Sequence, residues 1–177
     1  MVALLSSPDP LDHFCGGTVI ASRYVVTAAH CVQDKAEFQI FVRVGEHDLR
    51  TAGEAEVERT VRVAHILLHA NYTLRLGWDS NDIALLELAE ELDLATHTPA
   101  CLASPGHQAA GNTATVSGWG TLEFGGDKAH TLQEVEVPVL SHEECSNNMV
   151  VTITKDMLCA GATDKDACQV WLCRFAK

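Results

Sequence analysis

The sequence is poor in positive charge and has no hydrophobic run long enough to cross a membrane as a helix. It contains 12 lysine and arginine residues against 24 aspartate and glutamate residues, a net charge of −12 over 177 residues. Such an acidic chain repels phosphate backbones and anionic lipid, so we expect neither nucleic acid nor membrane as a partner. Because no apolar run approaches about 18 residues, no transmembrane helix is predicted.

The sequence also lacks a recognisable export signal and any Cys-x-x-Cys pair. Met1–Leu5 has no basic start and is too short to form the core of a signal peptide. Seven cysteines are nonetheless many for a chain of this length, and their wide spacing favours disulfides over zinc. We therefore expect an extracellular, secreted protein whose export signal lies outside this sequence.

What the sequence has instead is a series of short strand-like runs, and 47% of its residues are hydrophobic. This pattern predicts an all-β fold, with a linker over residues 90–112 between two β modules. One short helix is predicted at Ser141–Glu144, where the residues have capping-box spacing. The predicted strands are Gly17–Ile20, Tyr24–Thr27, Phe38–Val44, Val57–Val63, Ile83–Leu88, Ala114–Ser117, Leu132–Val137 and Met157–Leu158.

Two polar residues stand at the ends of predicted strands, where chemistry is commonly placed. His30 follows the run Val25-Val26-Thr27 and precedes Cys31, and Asp82 directly precedes the apolar run that begins at Ile83. An unpaired buried carboxylate costs several kcal/mol, so Asp82 needs a partner, and an imidazole N–H is a natural one. Each residue also has a structural interpretation, since a histidine beside a cysteine is often structural and an aspartate before a strand is often a turn residue.

Six motifs, in order, resemble those of trypsin-like members of the chymotrypsin family of serine endopeptidases. The resemblance runs from about Val2 to Gln169. The motifs are Phe14-Cys15-Gly16-Gly17-Thr18, Thr27-Ala28-Ala29-His30-Cys31, Asn81-Asp82-Ile83-Ala84-Leu85, Ser117-Gly118-Trp119-Gly120, Met157-Leu158-Cys159-Ala160-Gly161 and Asp166-Ala167-Cys168-Gln169.

The resemblance implies a two-barrel fold, with a first barrel over residues 1–100, a partial second barrel over 101–169 and a divergent tail over 170–177. It implies hydrolysis of peptide bonds after Arg or Lys, with His30 as general base and Asp82 orienting it. Asp166 resembles the aspartate at the foot of the specificity pocket, where a carboxylate selects a basic side chain. The implied partners are protein or peptide substrates with Arg or Lys, and protease inhibitors.

The resemblance also implies disulfides and a metal loop. Cys15 with Cys31 and Cys145 with Cys159 match complete pairs of the family. The loop from Gly45 to Glu56 resembles the family's calcium loop, with Glu46 and Glu56 as carboxylate ligands and Asp48 and Thr51 offering carbonyls. A solvated acidic loop is the alternative interpretation. No other cofactor is expected.

The sequence departs from the family after Gln169. Where the family reads Gly-Asp-Ser-Gly-Gly-Pro, this chain reads Val170-Trp171-Leu172-Cys173-Arg174-Phe175, and its last serine is Ser146. Because the nucleophile and the oxyanion-hole donors are missing, we expect no hydrolysis by this chain. The alternatives are a non-catalytic homologue with a binding or regulatory role, and a zinc-binding module, although the spacing of the histidines and cysteines fits no common zinc pattern.

Overall fold

The first six strands of the chain close into an antiparallel barrel in the order β1-β2-β3-β6-β5-β4, with β4 pairing back onto β1. The computed structural model describes residues 1–51, 58–73, 80–104, 109–122, 126–148, 153–154 and 157–161. The all-β prediction is confirmed. The barrel strands are β1 (Val2–Leu5), β2 (His13–Ala21), β3 (Tyr24–Thr27), β4 (Phe41–Val44), β5 (Arg59–Leu68) and β6 (Ala84–Leu88).

Side-chain alternation fills the barrel interior. In β6, Ala84, Leu86 and Leu88 are buried, while Leu85 and Glu87 between them are partly exposed. This is the period of two that a strand with one buried face requires. Apolar side chains of all six strands meet in one core. This packing holds in place the strand ends from which the loops at the barrel rim begin.

Strand β1 was not predicted, because all four of its residues are buried and its sequence does not alternate. Val2 and Leu4 face the barrel core, whereas Ala3 and Leu5 pack against Trp119 of the following module. A short apolar run covered on both faces cannot be distinguished from other buried segments by periodicity alone.

The second module contains a two-stranded antiparallel sheet of β7 (Thr113–Gly118) and β8 (Gln133–Pro138). Its core is small, with Ala114, Val137 and Val139 buried together. Helix α2 (His142–Asn148) follows, and Ser141 and Glu144 form the predicted capping interaction at its start. Cys145 in this helix is joined to Cys159 by a disulfide. The domain boundary at residue 100 stays a prediction.

The linker expected over residues 90–112 forms no helix or strand in its described parts, 90–104 and 109–112, but it is fastened to the barrel. Leu92 is buried, and its backbone amide donates to the carbonyl of Ser22. Further along, the amide of Ala100 donates to the carbonyl of Val19. These contacts hold the connection close to β2.

Two strand predictions were wrong. Residues Glu37–Gln39 form a 3-10 turn, in which the Gln39 side chain accepts a hydrogen bond from the Ala36 amide, so β4 begins only at Phe41. Met157–Leu158 is not a strand either. Near it, an isolated bridge pairs Ala160 with Val139, just beyond the end of β8, and the amide of Gly161 donates to the carbonyl of Pro138. In addition, β5 extends to Leu68, five residues beyond the predicted end.

Candidate active site

His30 lies on a short helical turn at the rim of the barrel. Strand β3 ends at Thr27, and α1 (Ala29–Val32) begins two residues later. The Thr27 hydroxyl donates a buried hydrogen bond of 2.8 Å to the carbonyl of Gly16 on β2. A disulfide between Cys15 on β2 and Cys31 in α1, with 6.2 Å between the Cα atoms, fastens the turn a second time. The histidine is therefore held by two independent links to β2.

Asp82 reaches the same rim from the neighbouring strand. Strands β3 and β6 are paired with Thr27 opposite Ala84, so the residues just beyond these positions lie side by side. The turn before β6 is tight: Asn81 has a φ of 52°, a left-handed conformation that asparagine tolerates better than most residues. The Asn81 side-chain amide also donates to the carbonyl of Asn71, which steadies the turn.

The two side chains are in direct contact. His30 Nδ1 lies 2.6 Å from Asp82 Oδ2, and the backbone amide of His30 donates to Asp82 Oδ1 at 2.9 Å. Both carboxylate oxygens are thus occupied by one residue, so the carboxylate fixes the ring orientation as well as its position. In the tautomer in which Nδ1 donates to the carboxylate, the acceptor nitrogen of the ring is Nε2.

Electrostatics favour the charged form of this carboxylate. Partial burial alone would raise the pKa of Asp82, but hydrogen bonds from the His30 ring and the amides of His30 and Ala29 outweigh it, so the pKa lies below its ordinary value. The side chains of His30 and Asp82 keep 24% and 26% of their surface exposed. The partly accessible imidazole is therefore suited to accepting a proton at Nε2. The ionised carboxylate behind it would stabilise the resulting cation.

The loop expected to bind calcium has a different set of contacts. The Glu46 carboxylate is buried, with Oε2 paired to Arg43 Nε at 2.5 Å and Oε1 accepting the His47 amide at 2.9 Å. Arg43 also pairs with Glu58, and the side chains of both carboxylates are at most 5% exposed. A guanidinium therefore stands between two carboxylates where the resemblance implied a metal ion.

The remaining described ligands of that loop are engaged as well. The Asp48 carboxylate accepts hydrogen bonds from the side chain and backbone of Arg50, which lower the pKa of Asp48 to about 2. The Asp48 carbonyl accepts from the amide and hydroxyl of Thr51, closing a turn. These contacts do not fit a calcium site, and calcium binding stays a prediction. Glu56 lies outside the described residues.

His13, which no sequence pattern singles out, lies where the second module meets the barrel. Its ring contacts the Trp119 indole edge to face, with centroids 5.7 Å apart, and Lys128 lines the same small pocket. No side chain among the described residues hydrogen-bonds to either ring nitrogen, and the polar contact of the ring is with the Cys15 backbone. Burial and then the nearby Lys128 charge lower the pKa of His13 to about 4, although the Cys15 backbone acts in the opposite direction. The local sequence carries no signal for the packing of His13 against Trp119 and Lys128, because the pocket joins segments that are distant in the sequence.

Several predicted site residues cannot be located. Asp166, Cys168 and the divergent tail 170–177 lie outside the described residues. Cys101 is described, and it is an exposed free thiol. The expected disulfides at Cys15–Cys31 and Cys145–Cys159 are both present.

Among the described residues, none of the helices has the length and apolar content needed to cross a bilayer.

A closed six-stranded barrel, a second β module and a His–Asp pair at the barrel rim together define the two-barrel class of chymotrypsin-like proteins. The chain belongs to the trypsin family, whose model, described as Trypsin, matches residues 1–170. The resemblance inferred from the six motifs is thereby confirmed.

Individual relatives agree with this assignment. The chain is 39% identical to ovochymase-2 of Mus musculus over 89% of its own length and 27% of that protein. It is 34% identical to a venom serine protease of Polistes dominula, over 96% of this chain and 62% of the relative. It is also similar to trypsin of Squalus acanthias, at 37% identity over 89% of this chain and 66% of the relative. The chain thus spans about a quarter of the first relative and about two thirds of the other two.

Among solved structures, the chain is similar to neuropsin, described as a serine protease expressed in the limbic system of mouse brain. The TM-score is 0.80 at 31% sequence identity, and the match covers 95% of this chain and 72% of the neuropsin chain. The two-barrel fold class is therefore shown by structure as well as by sequence.

Proposed function

We propose that this chain carries the proton-relay half of a trypsin-like serine endopeptidase, with His30 as general base and Asp82 as the carboxylate that orients it. The observation that carries the proposal is the pair of hydrogen bonds between them, at 2.6 Å and 2.9 Å. In the family's mechanism, the imidazole removes the proton of a serine hydroxyl and later returns it to the leaving amine. The hydrogen bond from His30 Nδ1 to Asp82 supports this role, because it leaves Nε2 as the nitrogen that would accept the proton.

The proposed substrates are proteins or peptides cleaved after Arg or Lys, in an extracellular setting. The support for a basic residue at the cleavage site is Asp166, which stands two positions before Cys168 in the family pattern. A carboxylate at the foot of a pocket pairs with a guanidinium or ammonium group and penalises an uncharged occupant. The names of the relatives, which include a venom serine protease and a trypsin, support an exported peptidase.

We also propose that the 177-residue polypeptide does not hydrolyse peptides by itself. Residues 170–175 read Val-Trp-Leu-Cys-Arg-Phe where the family's nucleophile motif would stand. Without a serine hydroxyl beside Nε2, the base has no proton to remove, and no covalent intermediate forms.

A graft tests the relay proposal without relying on the activity of the native chain. Residues 170–177 would be replaced by the Gly-Asp-Ser-Gly-Gly-Pro motif and following segment of the shark trypsin, and hydrolysis of an arginine thioester would be measured. We expect the graft to react with a serine-directed fluorophosphonate and to lose turnover when His30 is replaced by alanine. Asp82→Asn should lower turnover by about 10⁴-fold, the effect known for this family.

The matched control is His65→Ala, since His65 is exposed on β5 away from the pair and should leave turnover unchanged. A folded graft that hydrolyses the thioester equally well with and without His30 would overturn the relay assignment. Hydrolysis by the ungrafted chain, blocked by the fluorophosphonate, would overturn the proposed inactivity.

A further inference from the structure

His30 and the two cysteines beside it bring together atoms that bind soft metal ions. The sulfurs of Cys15 and Cys31 and a ring nitrogen of His30 all lie within 4.8 Å of one another. In the structure the two sulfurs form a disulfide, so neither is available as a thiolate ligand. The same arrangement with a reduced disulfide has two thiolates and one imidazole, a ligand set that zinc accepts.

The distances suit tetrahedral zinc. With Zn–S near 2.3 Å and Zn–N near 2.0 Å, tetrahedral angles place nitrogen and sulfur about 3.5 Å apart and two sulfurs about 3.8 Å apart. His30 Nε2 already lies 3.5 Å from Cys31 Sγ. Once the S–S bond is broken, the sulfurs need only move apart by side-chain rotation, and the 6.2 Å between the Cα atoms leaves space for it.

The backbone that positions these ligands does not depend on the disulfide alone. Strands β2 and β3 remain joined by their ladder, in which Thr18 pairs with Val26. The buried hydrogen bond from the Thr27 hydroxyl to the Gly16 carbonyl ties the start of α1 to the residue after Cys15. These contacts hold the end of β3, from which α1 and Cys31 follow, beside the segment of β2 that carries Cys15.

Asp82 completes the arrangement from behind. Ligating histidines usually donate their second ring N–H to a carboxylate, which fixes the tautomer and directs the other nitrogen at the metal. Asp82 Oδ2 lies 2.6 Å from His30 Nδ1, the nitrogen that does not face the sulfur of Cys31. The carboxylate thus orients Nε2 toward the metal position.

We propose that reduction of the Cys15–Cys31 disulfide creates a zinc site formed by both thiolates and His30 Nε2, with water as the fourth ligand. A thiol or phosphine reductant supplies two electrons, the S–S bond breaks, and two thiols form. On binding, each thiol releases its proton to solvent and donates a sulfur lone pair to the metal. Zinc then occupies the Nε2 lone pair, so metal and proton relay exclude each other. The site itself does not require the proposed peptidase function.

Cobalt absorption tests the proposal directly, because thiolate-bound tetrahedral Co²⁺ has intense charge-transfer and visible bands. The full chain, reduced with a phosphine, would be titrated with Co²⁺ and then with Zn²⁺. We expect these bands only in the reduced chain, with displacement of cobalt by zinc. The variant C15S/C31S should lose them. The matched variant C145S/C159S, which lacks a disulfide of similar loop length, should keep them.

The histidine and its carboxylate have separate readouts. His30→Gln should weaken cobalt binding at least tenfold, and Asp82→Asn should weaken it by about 10–100-fold while the bands keep their shape. Circular dichroism follows the fold in the same samples. Absence of the bands in the reduced chain, whether folded or unfolded, would overturn the proposal. Bands that survive in C15S/C31S, or affinity unchanged in His30→Gln, would do the same.

Discussion

His13 lies edge to face against Trp119, with ring centroids 5.7 Å apart, and this contact is part of the connection between the barrel and the second module. Trp119 is 1% exposed, and its indole N–H donates to the carbonyl of His47 at 3.0 Å. One tryptophan therefore fastens the second module to the β4–β5 loop while it covers a histidine that makes no side-chain hydrogen bond among the described residues.

The partly buried His13 makes stability depend on pH. Its pKa is lowered to about 4 in the folded chain from an ordinary value of 6.5, chiefly by burial and then by Lys128. Between these values the unfolded chain binds more protons than the folded one, so stability falls as the pH falls from about 6.5 to about 4. A shift of this size corresponds to about 3 kcal/mol.

The measurement is the free energy of unfolding by urea at pH 7 and pH 4 for the native chain and for His13→Phe, which keeps an aromatic ring against Trp119. We expect the unfolding free energy to decrease clearly less between pH 7 and pH 4 in His13→Phe than in the native chain. The control His65→Gln, at an exposed position on β5, should lose as much as the native chain. Equal losses in all three proteins would contradict the role assigned to His13.

The buried Arg43 takes the place of a loop cation. Its side chain is 10% exposed and pairs with Glu46 and Glu58, so Arg43→Met removes the guanidinium from between two buried carboxylates. We expect a loss of about 3–5 kcal/mol in unfolding free energy, the range for a broken buried ion pair. Arg50→Ala, which removes a pair between Asp48 and an arginine side chain that is 58% exposed, should destabilise the chain much less.

Calcium gives a separate test of the same loop. Because the described carboxylate oxygens are already engaged, millimolar Ca²⁺ should leave the melting temperature of the native chain unchanged, as should a chelator. A calcium-dependent rise in melting temperature would show that the loop binds the metal despite Arg43, and would restore the expectation drawn from the family.

Gly17 is required where β1, β2 and β3 approach one another. A Cβ atom at this position would lie 2.8 Å from Val25 Cγ1, 3.1 Å from Val2 Cγ2 and 3.2 Å from the backbone oxygen of Val26. The backbone oxygen cannot rotate away, so Gly17→Ala should destabilise the chain by about 1–3 kcal/mol, the usual range for overpacking.

A suitable control for Gly17 is Gly111→Asn. Gly111 has a φ of 82°, and a Cβ atom added there would have no heavy atom within 4 Å. Asparagine also tolerates the left-handed region. Because a positive φ strains any residue with a Cβ atom, we expect this control to cost about 1 kcal/mol without steric overlap. Urea denaturation measures both variants, and a smaller effect at Gly17 than at Gly111 would be inconsistent with the packing described.

The sequence allowed most of the barrel and the positions of His30 and Asp82 to be predicted, because strand alternation and short motifs are local signals. It did not predict β1, which is apolar on both faces since the second module covers one of them. It also placed a strand over Phe38, although that residue is 71% exposed in a turn closed by Gln39.

The interactions that could not be predicted all join distant segments. The Arg43–Glu58 pair and the His13–Trp119 contact depend on how strands pair and how the second module packs, and no spacing in the sequence encodes them. The proximity of His30 Nε2 to a disulfide sulfur likewise depends on where α1 lies relative to the barrel strands.

The tautomer of His30 tests the central claim most directly, and it requires no enzymatic activity. In the folded chain labelled with ¹⁵N-histidine, two-bond ¹H–¹⁵N correlation spectra at neutral pH identify which ring nitrogen carries the proton. We expect the Nδ1 of His30 to carry a proton, with a strongly deshielded resonance that moves upfield in Asp82→Asn. A ring protonated on Nε2 alone, or a spectrum unchanged by Asp82→Asn, would contradict the pairing from which the proposed function is drawn.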